Sequence, residues 1–191
     1  EVITQATSRW WKRCAITLAR IDIPEVFRIR EVCFTPGHQV PTGVTMSKAR
    51  RSQLLAHAAQ HDAVIIEDDY DSESNFQANP LPALKASDRS GRVVYVSSLS
   101  KALSPGLRLG FMVADPDLID EARALRRLVY RHPPTNIQYQ MAHFLAQGHY
   151  ETHLRRYRDD SARRWEMLNA ALSALLPECQ PLPGSEHANA F

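Results

Sequence analysis

Residues 98–110 read SLSKALSPGLRLG and lie between two apolar runs, VVYV at 93–96 and LGFMVA at 109–114. The stretch places Lys101 just beyond a predicted strand, among serines, with Arg108 seven residues later. A lysine amine held where a strand ends can form a Schiff base with a carbonyl cofactor. Serine hydroxyls and a guanidinium are donors that bind phosphate. The stretch therefore predicts a covalent anchor and an anion site for one small molecule.

The apolar runs along the chain predict an α/β fold with a largely parallel sheet, because strands alternate with helices. The predicted strands are 32–35, 63–66, 93–96 and 109–114. The predicted helices are about 47–61, 115–130, 135–148 and 150–176, with Ser47, Asp115 and Thr135 as N-caps. Since the strand runs are continuous rather than alternating, we expect strands that are covered on both faces.

Polar clusters follow three of the predicted strands, at 35–43, 67–73 and 97–101. In sheets of this kind, ligands gather at the carboxyl ends of the strands. We therefore expect the three clusters to form one site.

These clusters supply what a pyridoxal phosphate site requires. Lys101 would form the internal aldimine. Asp68 or Asp69 would keep the pyridine nitrogen protonated, since a carboxylate at the end of a buried strand is costly without a cationic partner. Tyr70 would hydrogen-bond the phenolic oxygen of the ring. The expected phosphate donors are Ser98, Ser100 and Arg108.

From about residue 31 to residue 184 the chain resembles the large domain of fold-type I, aspartate-aminotransferase-like enzymes. Within them it resembles MocR-type (GntR family) transcriptional regulators, in which a winged-helix DNA-binding domain precedes an aminotransferase class I/II-like domain. The motifs that carry the resemblance are TPGHQVPTG at 35–43, IEDDYDSE at 66–73, SSLSKALSPGLRLG at 97–110 and GHYETHLRR at 148–156. The HQxPTG and EDDYDSE strings indicate the MocR-type branch.

The resemblance implies roles for the residues of the lysine motif. Lys101 resembles the Schiff-base lysine that holds pyridoxal 5'-phosphate as an aldimine, and Arg108 resembles the phosphate arginine. Ser98 matches a serine that contacts the phosphate, and Ser100 assists it.

The resemblance also implies roles for residues at the two preceding strand ends. Asp68 matches the carboxylate that binds the pyridine nitrogen, and it is preferred to Asp69 because the family places a tyrosine two residues on, at Tyr70. His38 and Gln39 lie where the family's loop approaches the cofactor ring.

The implied fold is a three-layer, PLP-dependent transferase-like large domain with a mostly parallel sheet, followed by the start of a small C-terminal domain. Residues 1–30 are expected to be an irregular N-terminal segment, residues 31–184 a partial large domain, and residues 185–191 the start of the small domain. The winged helix, an upstream phosphate loop with a stacking aromatic residue, and an arginine for the substrate carboxylate have no match. The domain is therefore expected to be truncated, with poor transaminase turnover.

The leading interpretation is a pyridoxal-phosphate-binding, aminotransferase-like domain that senses the effector of a MocR-type regulator. The alternatives are a free-standing amino-acid aminotransferase and an inactive truncated remnant. The expected ligand is an amino acid or another small molecule with an amino group. A homodimer is expected, and DNA would be bound only through a winged-helix domain absent from this sequence.

Composition excludes several other classes of protein. The 191 residues are 44% hydrophobic and carry a formal net charge of +2, too small to indicate nucleic-acid or membrane binding. No apolar run approaches the roughly 20 residues that span a bilayer. Cys14, Cys33 and Cys179 form no CxxC pair and suit a reducing cytoplasm. His149 and His153 have the spacing of a helical metal pair but no evident third ligand, so no metal site is expected.

Overall fold

The computed structural model describes residues 31–39, 42–76, 80–132 and 134–178. The strands in these ranges are β1 Glu31–Phe34, β2 Val64–Asp69, β3 Val93–Ser98 and β4 Gly110–Val113. The helices are α1 Lys48–Gln60, α2 Leu84–Ser87, α3 Pro116–Tyr130, α4 Thr135–Ala146 and α5 His149–Leu175. Short 3-10 turns lie at Ser72–Ser74 and Pro105–Leu107. The predictions for residues 1–30 and 185–191 fall outside the described residues.

The sheet has the strand order β1-β2-β3-β4. The pairs β1–β2 and β2–β3 are parallel, and β4 runs antiparallel to β3. The prediction of an α/β fold with a mostly parallel sheet is confirmed. Because three parallel strands end at the same edge, the loops that follow β1, β2 and β3 lie side by side.

One face of the sheet packs against helix α1. Residues two apart on a strand point to the same face. Phe34, Ile65 and Val93 therefore share this face, as the register of the three parallel strands requires. They form the core together with Ala58, Ala63 and Leu84. Burial of these apolar side chains holds the strand ends in fixed positions.

A buried arginine ties the loops at this edge together. The Arg51 guanidinium, on α1, donates hydrogen bonds to three backbone carbonyls, those of Pro36, Met46 and Pro82. Two of these carbonyls belong to the loop after β1 and the third to the segment before α2. The side chain thus links two irregular segments through carbonyl groups of their backbones.

The end of β2 differs from the prediction. The strand continues through Asp69 instead of ending at residue 66, so its acidic residues lie within the strand. The Tyr95 hydroxyl donates to Asp69 Oδ2 at 2.8 Å, and the Ser97 hydroxyl donates to the Asp69 carbonyl at 2.6 Å. These partners on β3 offset the low strand propensity of aspartate. β3 likewise continues to Ser98.

Two further predictions are wrong. The β4 side chains Phe111 and Val113 are 43% and 46% exposed, so this strand is not covered on both faces by the described residues. Thr135 is the first helical residue of α4 rather than its N-cap, which is Pro134 and makes no side-chain hydrogen bond. Ser47 and Asp115 do cap α1 and α3, as predicted.

No helix among the described residues is both long and apolar enough to cross a lipid bilayer.

Gly110 allows the close approach of β3 and β4. A Cβ atom at this position would lie 2.8 Å from the Ser97 carbonyl oxygen, a backbone atom that cannot rotate away. We predict that Gly110→Ala lowers the free energy of unfolding by about 1–3 kcal/mol, the range for overpacking a tight site. The matched control is Gly106→Ala, whose Cβ would meet only the Ser104 hydroxyl at 3.7 Å. Denaturant unfolding measures both variants, and equal stabilities would contradict the prediction.

Candidate functional site

The two aspartates that end β2 have different surroundings. Adjacent residues of a strand point to opposite faces, so Asp68 and Asp69 diverge. Asp69 is engaged by Tyr95, whereas the Asp68 carboxylate makes no hydrogen bond or salt bridge with the described residues. On the same face as Asp68, β3 carries Ser98. Asp68 is therefore the carboxylate that the sheet leaves available to a ligand.

Asp68 and Lys101 influence each other's protonation. Burial raises the pKa of Asp68, the like charge of Asp69 raises it further, and the Lys101 amine lowers it. Burial also lowers the pKa of Lys101, while the carboxylates of Asp71 and Asp68 raise it. A lowered pKa increases the fraction of neutral amine, which is the nucleophilic form.

Tyr70 connects the lysine to the loop after β1. The Lys101 Nζ atom lies 4.3 Å from the centroid of the Tyr70 ring, within the range of a cation–π contact. The Tyr70 hydroxyl donates to the His38 carbonyl at 2.8 Å. Burial raises the pKa of Tyr70 above its ordinary value, and Asp71 and Asp68 add to that effect, so this phenol stays protonated at neutral pH. The structure thus brings together Lys101, Tyr70 and His38, which follow three different strands.

The His38 side chain is oriented by Asp71, a residue to which the sequence analysis gave no role. His38 Nδ1 lies 3.0 Å from Asp71 Oδ2, and the Ser74 hydroxyl donates to both the Asp71 carboxylate and, at 2.8 Å, its carbonyl. The His38 ring also stacks on the Tyr70 ring at 6.0 Å. The position of Asp71 inside the EDDYDSE string was the only signal in the sequence that could have indicated it.

The backbone of Gln39 forms hydrogen bonds within the loop that carries His38. Its amide donates to the Val44 carbonyl at 3.2 Å, and its carbonyl accepts from the Gly43 amide at 2.6 Å. Gly43 has a φ of 69°, in the left-handed region that glycine adopts without strain. These bonds shape the loop that carries His38.

Lys101 lies in a tight turn after β3. The Leu103 amide donates to the Leu99 carbonyl, and the Leu99 amide donates to the Leu109 carbonyl, each at 3.0 Å. The Ser98 hydroxyl accepts from the Ser100 amide at 3.2 Å. Ser98, Ser100 and Lys101 therefore share one short, hydrogen-bonded segment.

Arg108 follows the 3-10 turn Pro105–Leu107 and has an exposed side chain. Its φ of 49° places a non-glycine residue in the left-handed region, a conformation found at functional positions more often than elsewhere. Its guanidinium makes no hydrogen bond or ion pair with the described part of the chain. A guanidinium that is not engaged by neighbouring side chains can donate two hydrogen bonds to one anion.

Comparison with known proteins places this geometry in a family. Residues 22–188 match the family described as Aminotransferase class I and II. The HTH-type transcriptional regulator TauR of Rhodobacter capsulatus is 43% identical over 145 residues, which are 76% of this chain and 30% of that protein. The probable rhizopine catabolism regulatory protein MocR of Rhizobium meliloti is 40% identical over 74% of this chain and 29% of its own length. The chain thus spans less than a third of these relatives.

A solved structure gives the same assignment. The kynurenine aminotransferase of Pyrococcus horikoshii superposes with a TM-score of 0.74 at 28% identity, covering 92% of this chain and 41% of that chain. The expected PLP-dependent transferase-like fold is confirmed, as is the resemblance to the aminotransferase-like domain of MocR-type regulators. By its sequence and its fold, this chain belongs to the class I and II aminotransferase family.

Proposed function

We propose that this chain binds pyridoxal phosphate and acts as the effector-sensing domain of a MocR-type transcriptional regulator. The observation that carries the proposal is the position of the Lys101 amine over the Tyr70 ring, in electrostatic contact with Asp68. The regulators TauR and MocR, with identities of 43% and 40%, support the sensing role. Sensing requires that a ligand be bound and released, not that it be turned over.

The donor set fits the chemistry of this cofactor. Lys101 supplies the amine, and Asp68 supplies a carboxylate whose pKa burial and Asp69 raise more than Lys101 lowers it, so a further cation beside it would favour its ionised form. A protonated pyridine nitrogen is a cation of the required kind. Tyr70 supplies a phenol that remains protonated; since its proton is donated to the His38 carbonyl, the expected hydrogen bond to the phenolic oxygen of the ring would require the hydroxyl to change partner. The donors for the phosphate would be Ser98, Ser100 and Arg108.

When bound, pyridoxal phosphate supplies an electrophilic carbonyl and a ring that accepts electrons. Asp68 would hold a proton at the pyridine nitrogen, and Tyr70 and His38 would border the ring. Gln39 would shape the loop beside it. Lys101 is the side chain whose position then depends on whether an amino-group ligand, such as an amino acid, is present. That dependence can bias a conformational equilibrium in a longer protein.

A homodimer and a cytoplasmic location belong to the same proposal. DNA binding would be the task of another domain of the regulator, as the resemblance to MocR-type regulators implies.

A free-standing aminotransferase is the second candidate, favoured by the likeness to kynurenine aminotransferase. Its identity of 28% is lower than the 43% shared with TauR. Conversion of an amino acid and 2-oxoglutarate at ordinary aminotransferase rates would favour this second function, whereas binding of amino acids without turnover favours the sensor.

Titration with pyridoxal phosphate tests the anchor. We predict that the wild-type chain develops the visible absorbance band of lysine-bound cofactor, and that Lys101→Ala lacks it because the amine is gone. The matched control is Lys48→Ala, which removes an exposed lysine on α1 and should keep the band. Absence of the band from the wild type, or its survival in Lys101→Ala, would contradict the proposed function.

Asp68→Asn should separate stability from binding. Burial raises the pKa of Asp68, so its ionisation at neutral pH costs folding free energy. This cost shrinks as the pH falls through the raised pKa and disappears below the ordinary pKa that Asp68 has in the unfolded chain. We predict a higher midpoint of thermal unfolding for Asp68→Asn at pH 7, and no difference from wild type in sufficiently acidic buffer. Affinity for pyridoxal phosphate should fall about tenfold or more, as for the loss of one charge-assisted hydrogen bond.

The control for this experiment is Asp159→Asn, an exposed position on α5 at which neither quantity should change. A lower unfolding midpoint for Asp68→Asn at pH 7 would show that the carboxylate stabilises the fold and that its assigned surroundings are wrong.

A further inference from the structure

Helix α5 presents one face to the candidate site. Tyr150, His153, Tyr157 and Arg158 are spaced so that they lie along the same side of the helix. The first two belong to the GHYETHLRR motif, which the proposed function does not use. Burial raises the pKa of Tyr150 to about 12, and the Glu73 carboxylate adds to this effect, which agrees with a docked rather than a solvated face.

This face holds the loop that follows β2. The Tyr150 hydroxyl donates to Glu73 Oε1 at 3.3 Å, and Arg158 Nε donates to the Glu73 carbonyl at 3.0 Å. Glu73 lies within the 3-10 turn that comes directly after Tyr70 and Asp71. Helix α5 therefore fixes the segment that carries one wall of the site.

The same face also holds the turn that carries Lys101. His153 Nε2 is in hydrogen-bond contact with the carbonyl of Ala102, the residue after the lysine. Because a carbonyl oxygen only accepts, Nε2 must carry the proton. The His153 ring stacks on Tyr157, with ring centroids 6.1 Å apart and an interplanar angle of 19°, which holds the imidazole in place. Ala102 is only 3% exposed, and the contact is partly buried.

We propose that His153 is a positioning residue for Lys101. Its hydrogen bond to the Ala102 carbonyl fixes the turn that presents the lysine amine to Tyr70 and Asp68. Helix α5 also holds Glu73. The helix and the sheet together therefore set the distance between the turn that carries Lys101 and the segment that carries Tyr70 and Asp71. The importance of this position for cofactor binding rests on the proposed function, but the effect of His153 on Lys101 can be tested without the cofactor.

The cofactor-free readout is the pH dependence with which the Lys101 amine reacts with acetic anhydride, followed by peptide mass spectrometry. Lys48, which is exposed, is the reference in the same chain. The groups that face Lys101 are the carboxylates of Asp68 and Asp71 and the ring of Tyr70. Partial burial lowers the pKa of this amine more than Asp71 and Asp68 raise it, so a loosened turn should shift its labelling midpoint upward.

Three variants decide the question. His153→Ala should raise the labelling midpoint of Lys101 and weaken pyridoxal phosphate binding about fivefold, as for one lost hydrogen bond. His153→Gln should restore both values, because its amide nitrogen can donate to the same carbonyl. The matched control, His149→Ala, removes an exposed imidazole one turn earlier on α5 and should match the wild type.

A wild-type labelling midpoint and affinity in folded His153→Ala would overturn the inference. If His153→Ala does not fold, His153→Leu, which keeps much of the side-chain volume but cannot donate to the Ala102 carbonyl, decides: a labelling midpoint shifted upward supports the positioning role, and a wild-type midpoint overturns it. Failure of the wild-type chain to bind pyridoxal phosphate would contradict the proposed function alone, since the labelling experiment requires no cofactor.

Discussion

Three consecutive carboxylates, Glu67, Asp68 and Asp69, lie at the end of the central strand β2. The partner that each carboxylate finds determines how this edge of the sheet is built. Glu67 is 2% exposed and accepts the backbone amides of Leu84 and Lys85 at 2.6 and 2.8 Å, so it caps α2. Asp69 accepts the Tyr95 hydroxyl. Period-two alternation leaves the middle carboxylate on the opposite face, where the Lys101 amine lowers its pKa. Two of the three acids support the fold, and the third is available to a ligand.

The loops around Asp68 are held by contacts that cross from one strand end to another. Tyr70 bonds to the carbonyl of His38, Asp71 bonds to the His38 ring, and Arg51 bonds to carbonyls of two loops. A site assembled from three loops has to be preorganised in this way, because each unsupported loop would otherwise lose conformational entropy when a ligand binds. The rigid sheet and these cross-links together supply that preorganisation.

Much of this arrangement could be predicted from the sequence. Apolar runs followed by polar clusters indicated that the regions of His38, Asp68 and Lys101 would meet, because parallel strands end at one edge. The choice of Asp68 over Asp69 came from the family resemblance and stays a prediction; the alternation of β2, which places Asp69 on the face of Tyr95, agrees with it. The full length of β2 could not be predicted, since aspartate disfavours strands and the compensating hydroxyls lie on another strand.

The contacts of helix α5 were also beyond sequence reasoning. His153 and Ala102 are 51 residues apart, and their meeting depends on how the helix docks on the loops rather than on any local pattern. The exposure of β4 was missed for a related reason. An apolar run shows that a segment can be buried, but only the arrangement of its neighbours decides whether it is.

The most direct test of the central claim is borohydride reduction of the chain with bound pyridoxal phosphate, followed by peptide mapping. The chain has only four lysines, Lys12, Lys48, Lys85 and Lys101, so the modified position can be assigned without ambiguity. We predict a single modified peptide, the one that contains Lys101. Modification at another lysine, or distributed over all four, would contradict it.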